Sequence, residues 1–213
     1  MLNTMPYGGG LWHTWFDRDL GLAGRIIFNK DDLMHVKTFR IDVPIARIPN
    51  LAIHLTSGKE REDFSPNLHE HAKAILSMDE AFQNTPASGL DAASRIHPGL
   101  LHMVAKAAEV DPACIEDIEC QLIDIQPSSL GGASGELLFS GRLDNLCSSY
   151  QSLRALIDSA SSDNREQTNV KMIMLFDHEE VGSSSCQGAG SSLLMNTLQL
   201  INDQFSDKAH GME

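Results

Sequence analysis

The apolar positions change period along the chain, and each period predicts an element. "AGRIIF" (residues 23–28) is a short β-rich run, and "NKDD" after it reads as a turn. "MHVKTFRIDV" (34–43) alternates apolar and polar residues with period two, as a half-buried strand does. "PIARIPNLAIHL" (44–55) is apolar but carries Pro44 and Pro49, which suit an edge strand and bends rather than a sheet centre. The signal then weakens through charged, turn-rich sequence from "TSGKEREDFSPN" to "ASGLDAASRIHP", with one helix expected around "EHAKAILSMDEAF" (70–82). "PGLLHMVAKAAEV" (98–110) has apolar residues at helical spacing and Pro98 at a first-turn position. "ACIEDIECQLIDIQ" (113–126) predicts a strand through Ile115, Ile118, Cys120 and Leu122.

The Gly/Ser/Pro stretch "PSSLGGASGE" (127–136) is the best boundary, and the texture changes after it. "ELLFSGR" predicts a short strand. "DNLCSSYQSLRALIDSA" places Leu146, Tyr150, Leu153, Leu156 and Ile157 on one helical face. "SSDNREQTN" (161–169) reads as a polar loop, and "VKMIMLFD" (170–177) as a buried parallel strand. "GSSSCQGAGSSLLMNTLQLINDQF" (182–205) runs from a small-residue loop into a helix. Strand, helix, strand, helix in this order predicts a βαβ unit.

That order bears on chemistry, because open α/β sheets gather function beyond the carboxyl ends of their strands. Asp144 follows one predicted strand, and Glu179 and Glu180 follow another, so both groups are expected at one edge. "DHEE" (177–180) packs three carboxylates and an imidazole together, where like charges repel unless a cation lies between them. Clusters of oxygen donors with an occasional His suit zinc, manganese or cobalt. Adjacent glutamates on extended chain point opposite ways, so one can hold metal while the other takes a proton from a metal-bound water. The same four residues also suit a polar strand exit. "VGSSSCQGAGSS" lacks the G-K-[ST] of a phosphate loop, and its small residues read better as permitting close approach. His54, inside apolar "NLAIHL", reads on its own as a partly buried histidine with satisfied partners.

The 213 residues carry 16 basic and 29 acidic side chains, a formal net charge of −13. Such a surface argues against nucleic acid or an anionic membrane as partner. Four scattered cysteines without a C-x-x-C point to a reduced, cytoplasmic compartment. "MLNTMPYGGG" has neither the charged nor the apolar region of a secretory signal, and no apolar run reaches membrane-spanning length.

Four segments together carry a resemblance: "YGGGLWHTWFDRDLGLAGRIIF", "PIARIPNLAIHL", "RLDNLCSSYQSLRALIDS" and "MLFDHEEVGSSSCQGAGSSLL". They resemble aspartyl aminopeptidases, dinuclear zinc exopeptidases related to the yeast vacuolar aminopeptidase. The resemblance implies an α/β fold, with a β-rich inserted dimerisation domain over residues 1–135 and part of a zinc-peptidase-like parallel or mixed sheet domain over 136–213. It implies two zinc ions per site, Asp144 as the bridging carboxylate, Glu180 as a ligand of one metal and Glu179 as general base. A cis peptide bond is implied after Asp144. His54 is implied to reach a partner subunit's site and touch substrate. The implied activity is release of unblocked N-terminal Asp or Glu from peptides by metal-activated water attack, in a dodecamer built from homodimers. A metal-ligand His before "YGGG", and later Asp and His ligands, have no counterpart here, so the chain is expected to be a central fragment. The alternative is an inactive short form acting as a dimerisation or oligomer-interaction module.

Overall fold

The computed structural model describes residues 1–86, 92, 95–161 and 169–210. They divide into two compact units: Met1–Pro6 with Leu11–Ser128, and Tyr7–Gly10 with Ser129–Glu213.

The first unit is built on a three-stranded antiparallel sheet. Strands β1 (Leu20–Lys30) and β2 (Leu33–Ala46) form a long hairpin closed by Asp31 and Asp32, both at positive φ. β2 is an edge, in the order β2-β1-β3, which tolerates Pro44 because an edge N–H needs no ladder partner. Three short helices follow: α1 (Gly58–Glu62), α2 (Leu68–His71) and α3 (Glu80–Gln83). α1 opens on a reciprocal capping box between Ser57 and Glu60. The single helix expected over 70–82 is therefore two short ones. Between them Ala74 is fully buried and bridges Leu2, while Ile75 bridges Arg47, so tertiary burial overrides helix propensity.

Helix α4 (Pro98–Ala108) begins at Pro98 as the sequence predicts, with His97 accepting a bond from Gly99 N at 3.1 Å and stacking on Phe82. Its buried Leu101, Val104, Ala105 and Ala108 recur at helical spacing and pack with Leu22, Ile26, Phe39 and Ile115 of the sheet. Strand β3 (Ile115–Asp124) pairs antiparallel with β1. Ile115 and Ile118 are three apart yet both join this core. A register shift between Ile27 and Phe28 leaves Glu116 as an extra residue and restores the phase, as a bulge does.

The second unit contains β4 (Ser129–Gly131) paired antiparallel with β5 (Leu137–Phe139), then α5 (Leu146–Ser161) and α6 (Leu193–His210). The short strand and both helices match the sequence pattern. The parallel βαβ unit does not: residues 170–176 enter no ladder with a described strand, and Val170 is 89% exposed. A strand exists only through its neighbours' hydrogen bonds, and an apolar run alone does not supply them. The polar loop expected at 161–169 lies almost wholly outside the described residues. All the buried apolar side chains among the described residues belong to the first unit. No described helix is long and apolar enough to cross a membrane.

Candidate active site

The "DHEE" residues sit on a tightly folded loop leading into α6. His178 takes a left-handed conformation (φ 63°), and its N–H donates to Asp177 Oδ1 at 2.7 Å. Gly182 N–H donates back to the His178 carbonyl at 2.8 Å, closing the turn that carries Glu179 and Glu180. The His178 ring Nδ1 lies 3.1 Å from Ser185 Oγ, tying the two ends of that turn. Further along, Gly190 N–H donates to Ser183 O at 2.9 Å, and a Cβ on Gly188 would lie 2.6 Å from the Ser183 carbonyl carbon. The small residues thus let the backbone fold onto itself, the close approach expected of them.

Two expectations about this loop are corrected. Glu179 and Glu180 lie in a turn rather than on extended chain, so alternation of faces does not separate them. They and Asp177 are exposed, so water screens their mutual repulsion and no cation is required between them on that ground. What separates the two glutamates is a contact. Glu180 Oε2 accepts from Gly9 N–H at 3.0 Å, while Glu179 has no hydrogen-bond or ion-pair partner among the described residues.

Asp144 is exposed immediately before α5, and its peptide bond to Asn145 is cis. The helix start is held by Cys147 N–H on Leu143 O (2.9 Å) and Ser149 N–H on Asn145 O (3.1 Å). Without parallel strands among the described residues, the argument that Asp144 and Glu179–Glu180 emerge from one sheet edge has no support in the topology. His54 belongs to the first unit, in a 3₁₀ turn over Ile53–Leu55. It is exposed, not partly buried, and Leu51, Ile53 and Leu55 around it are 60–71% exposed. All four cysteines are free thiols. An open cleft of about 700 Å³ lies within the first unit, between Thr14–Asp19, Pro44 and Asp124–Pro127, and holds none of these residues.

A family model described as Aminopeptidase I zinc metalloprotease (M18) matches residues 1–212. The chain belongs to the M18 aminopeptidase family. It is 41% identical to a probable aspartyl aminopeptidase of Ricinus communis, over 96% of this chain and 47% of that protein. It is likewise 41% identical to an aspartyl aminopeptidase of Aspergillus oryzae, over 88% of this chain and 42% of that one. Among solved structures, prApe1 is similar with a TM-score of 0.80 at 30% identity, covering 95% of this chain and 44% of that one. A complex titled for Ape4 and Nbr1 gives 0.79 at 38% identity, covering 92% and 38%. The chain thus shares the α/β fold of M18 structures and spans less than half the length of these relatives.

The M18 description implies zinc. Among the described residues no three His, Cys, Asp or Glu side chains are grouped to hold a metal ion. Asp144 and Glu180 are oxygen donors of a kind zinc accepts, but a zinc site needs at least three protein ligands in fixed geometry. The donors present therefore do not compose a complete zinc site by themselves. Sequence reasoning found the carboxylates and missed the Gly9 amide that holds one of them. The glycine run of "YGGG" was the available signal, since such runs mark close backbone approach.

Proposed function

We propose that this chain supplies part of the catalytic centre of an M18 aminopeptidase that releases unblocked N-terminal Asp or Glu from peptides. The observation that carries the reading is the family match over residues 1–212, with Asp144, Glu179 and Glu180 all inside it. In this reading Asp144 and Glu180 would hold zinc as carboxylate donors alongside ligands from outside this chain, and Glu179 would accept a proton. Zinc supplies the Lewis acid. The unequal holding of the two glutamates supports the division: an anchored carboxylate suits a fixed role, and one without a partner can take up and release a proton.

Residues 1–135 serve in this reading as the dimerisation domain, apart from Tyr7–Gly10 and Ser129–Gly135, which belong to the second compact unit, and residues 136–213 as part of the catalytic domain. Homodimers build to a dodecamer; one solved structure similar to this chain is titled as a dodecamer of the Saccharomyces mApe1 (TM-score 0.67, 29% identity). His54 acts on substrate at a partner subunit's site. Its exposure among exposed Leu51, Ile53 and Leu55 fits a segment that a second subunit covers. The family match favours this enzyme reading over a pure interaction module.

The deciding experiment compares Glu179→Gln with Glu180→Gln in the zinc-loaded assembled protein. Glu179→Gln is expected to keep zinc and to lose about 10²–10⁴-fold in turnover of an Asp-terminated chromogenic peptide. Glu180→Gln is expected to lose zinc. Loss of zinc in Glu179→Gln instead would reverse the two roles, and release of no Asp by a complete zinc-loaded enzyme that carries this segment would end the reading.

A further inference from the structure

The segment Tyr7–Gly10 is separated from Glu180 by some 170 positions in sequence, yet it belongs to the same compact unit. Within it the backbone meets the Glu180 carboxylate in two ways. Gly9 N–H donates to Oε2 at 3.0 Å. Gly8, at φ +89°, leaves open the space into which the carboxylate projects: a Cβ built there would lie 2.5 Å from Glu180 Cδ and 3.0 Å from Oε1. At Gly9 a Cβ would meet nothing within 4 Å. Position 8 is therefore constrained by its backbone conformation, while the Glu180 carboxylate that fills its open side is the movable end of a flexible side chain. An L-residue there would have to expel the carboxylate from its place.

We propose that the Gly8–Gly9 backbone is the positioning element of the Glu180 carboxylate. An exposed glutamate on a surface turn samples many rotamers, and a charge-assisted bond from a fixed amide selects one of them. The amide takes Oε2 and leaves Oε1 without a donor among the described residues, so the carboxylate is oriented while one oxygen stays open. Glu179, next to it in sequence, receives no such bond. The identical side chains are made different by a segment from the other end of the unit. The role given to Glu180 rests on the reading proposed above; its placement by Gly8–Gly9 does not.

The test uses the whole chain with ¹⁵N-glycine labelling, so that folding and the Gly9 amide are read in one spectrum. Glu180→Ala should move the Gly9 amide resonance upfield and remove its exchange protection, with the other glycines little changed. The second arm is a stability cycle. Gly8→Ala should lower the denaturant midpoint of the second unit, followed at that unit's own glycine amide resonances, more than Gly135→Ala, which shares a positive φ (+73°) but has nothing within 4 Å of its Cβ. In the Glu180→Ala background the two alanine substitutions should cost about the same. The third arm is kinetic: in the assembled zinc enzyme Gly8→Ala should lower kcat about 10²-fold, as a displaced catalytic group does, with KM little changed. A Gly9 amide indifferent to Glu180→Ala in a folded protein overturns the proposal. So does equal cost of Gly8→Ala with and without the Glu180 side chain; an unchanged kcat in an active enzyme would instead overturn the role given to Glu180. If a complete zinc-loaded enzyme that carries this segment has no peptidase activity, the proposed function fails, and the first two arms still decide the placement.

Discussion

Glu179 and Glu180 are adjacent and chemically identical, and only their surroundings set them apart. The same holds for Asp17, whose carboxylate accepts from both the backbone N–H and the side-chain amide of Asn50 at 2.9 Å. Those bonds, the backbone one foremost, hold its pKa below the ordinary carboxylate value, with Arg47 adding a smaller push. Because the folded-state pKa is depressed, the stabilisation is complete above the unfolded-state value and disappears as pH falls through the folded-state value. Asp17→Asn tests this cleanly, since asparagine also tolerates the left-handed backbone found there (φ 57°). Because Asp17 is exposed and screened by water, the variant should be less stable by only about 0.5 kcal/mol or less at neutral pH. The gap should close on acidification below the usual carboxylate range, measured by urea unfolding at several pH values. A gap independent of pH would mean that charge at Asp17 contributes nothing.

At the scale of elements, α4 and the sheet it covers carry the apolar burial. Leu101 is fully buried between them. Leu101→Ala should cost about 2–5 kcal/mol by the transfer of the lost atoms and the cavity left behind. Leu200→Ala, on α6 and 68% exposed, should stay within about 0.5 kcal/mol. Denaturant midpoints for the two variants check this directly. These elements were also the most legible in the sequence. α4 announced itself by Pro98 and the spacing Leu101, Val104, Ala105, Ala108, and the hairpin by the period of residues 34–43. Local pattern failed where distant partners decide. Ala74 and Ile75 leave a helical context because Leu2 and Arg47 pair with them, and the apolar run 170–176 has no ladder to join among the described residues. The site divides the same way. The carboxylates were visible as "DHEE" and "LDN", but the bond from Gly9 joins positions that no local window contains.

For the whole molecule, the claim that His54 serves a neighbouring subunit makes a prediction about mixtures. Asp144→Ala and His54→Ala subunits should each assemble and be inactive. After subunit exchange, half the dimers pair one of each, and one of their two sites has both residues intact, so activity should return to about a quarter of the native level. Mixtures that stay inactive despite proven exchange would place His54 outside the partner's site. The exposed "NLAIHL" segment makes the idea concrete, because Leu51, Ile53 and Leu55 present apolar surface around the histidine.

Buried apolar side chains occur in the first unit alone among the described residues, and this unevenness has a thermodynamic side. The heat-capacity increment of unfolding arises from apolar surface newly exposed to water. The calorimetric transition of the isolated chain should therefore belong to the β1–β3 sheet and α4. Amide hydrogens of β1 and α4 should exchange only through that cooperative opening. Those of α5 and α6, whose Tyr150, Leu200 and Phe205 are more than two-thirds exposed, should exchange by local fraying with little protection. The half of the chain that bears the carboxylates would then be the half that opens first, and whatever covers its helices in an assembled enzyme would set how long the loop carrying Glu179 and Glu180 keeps its shape.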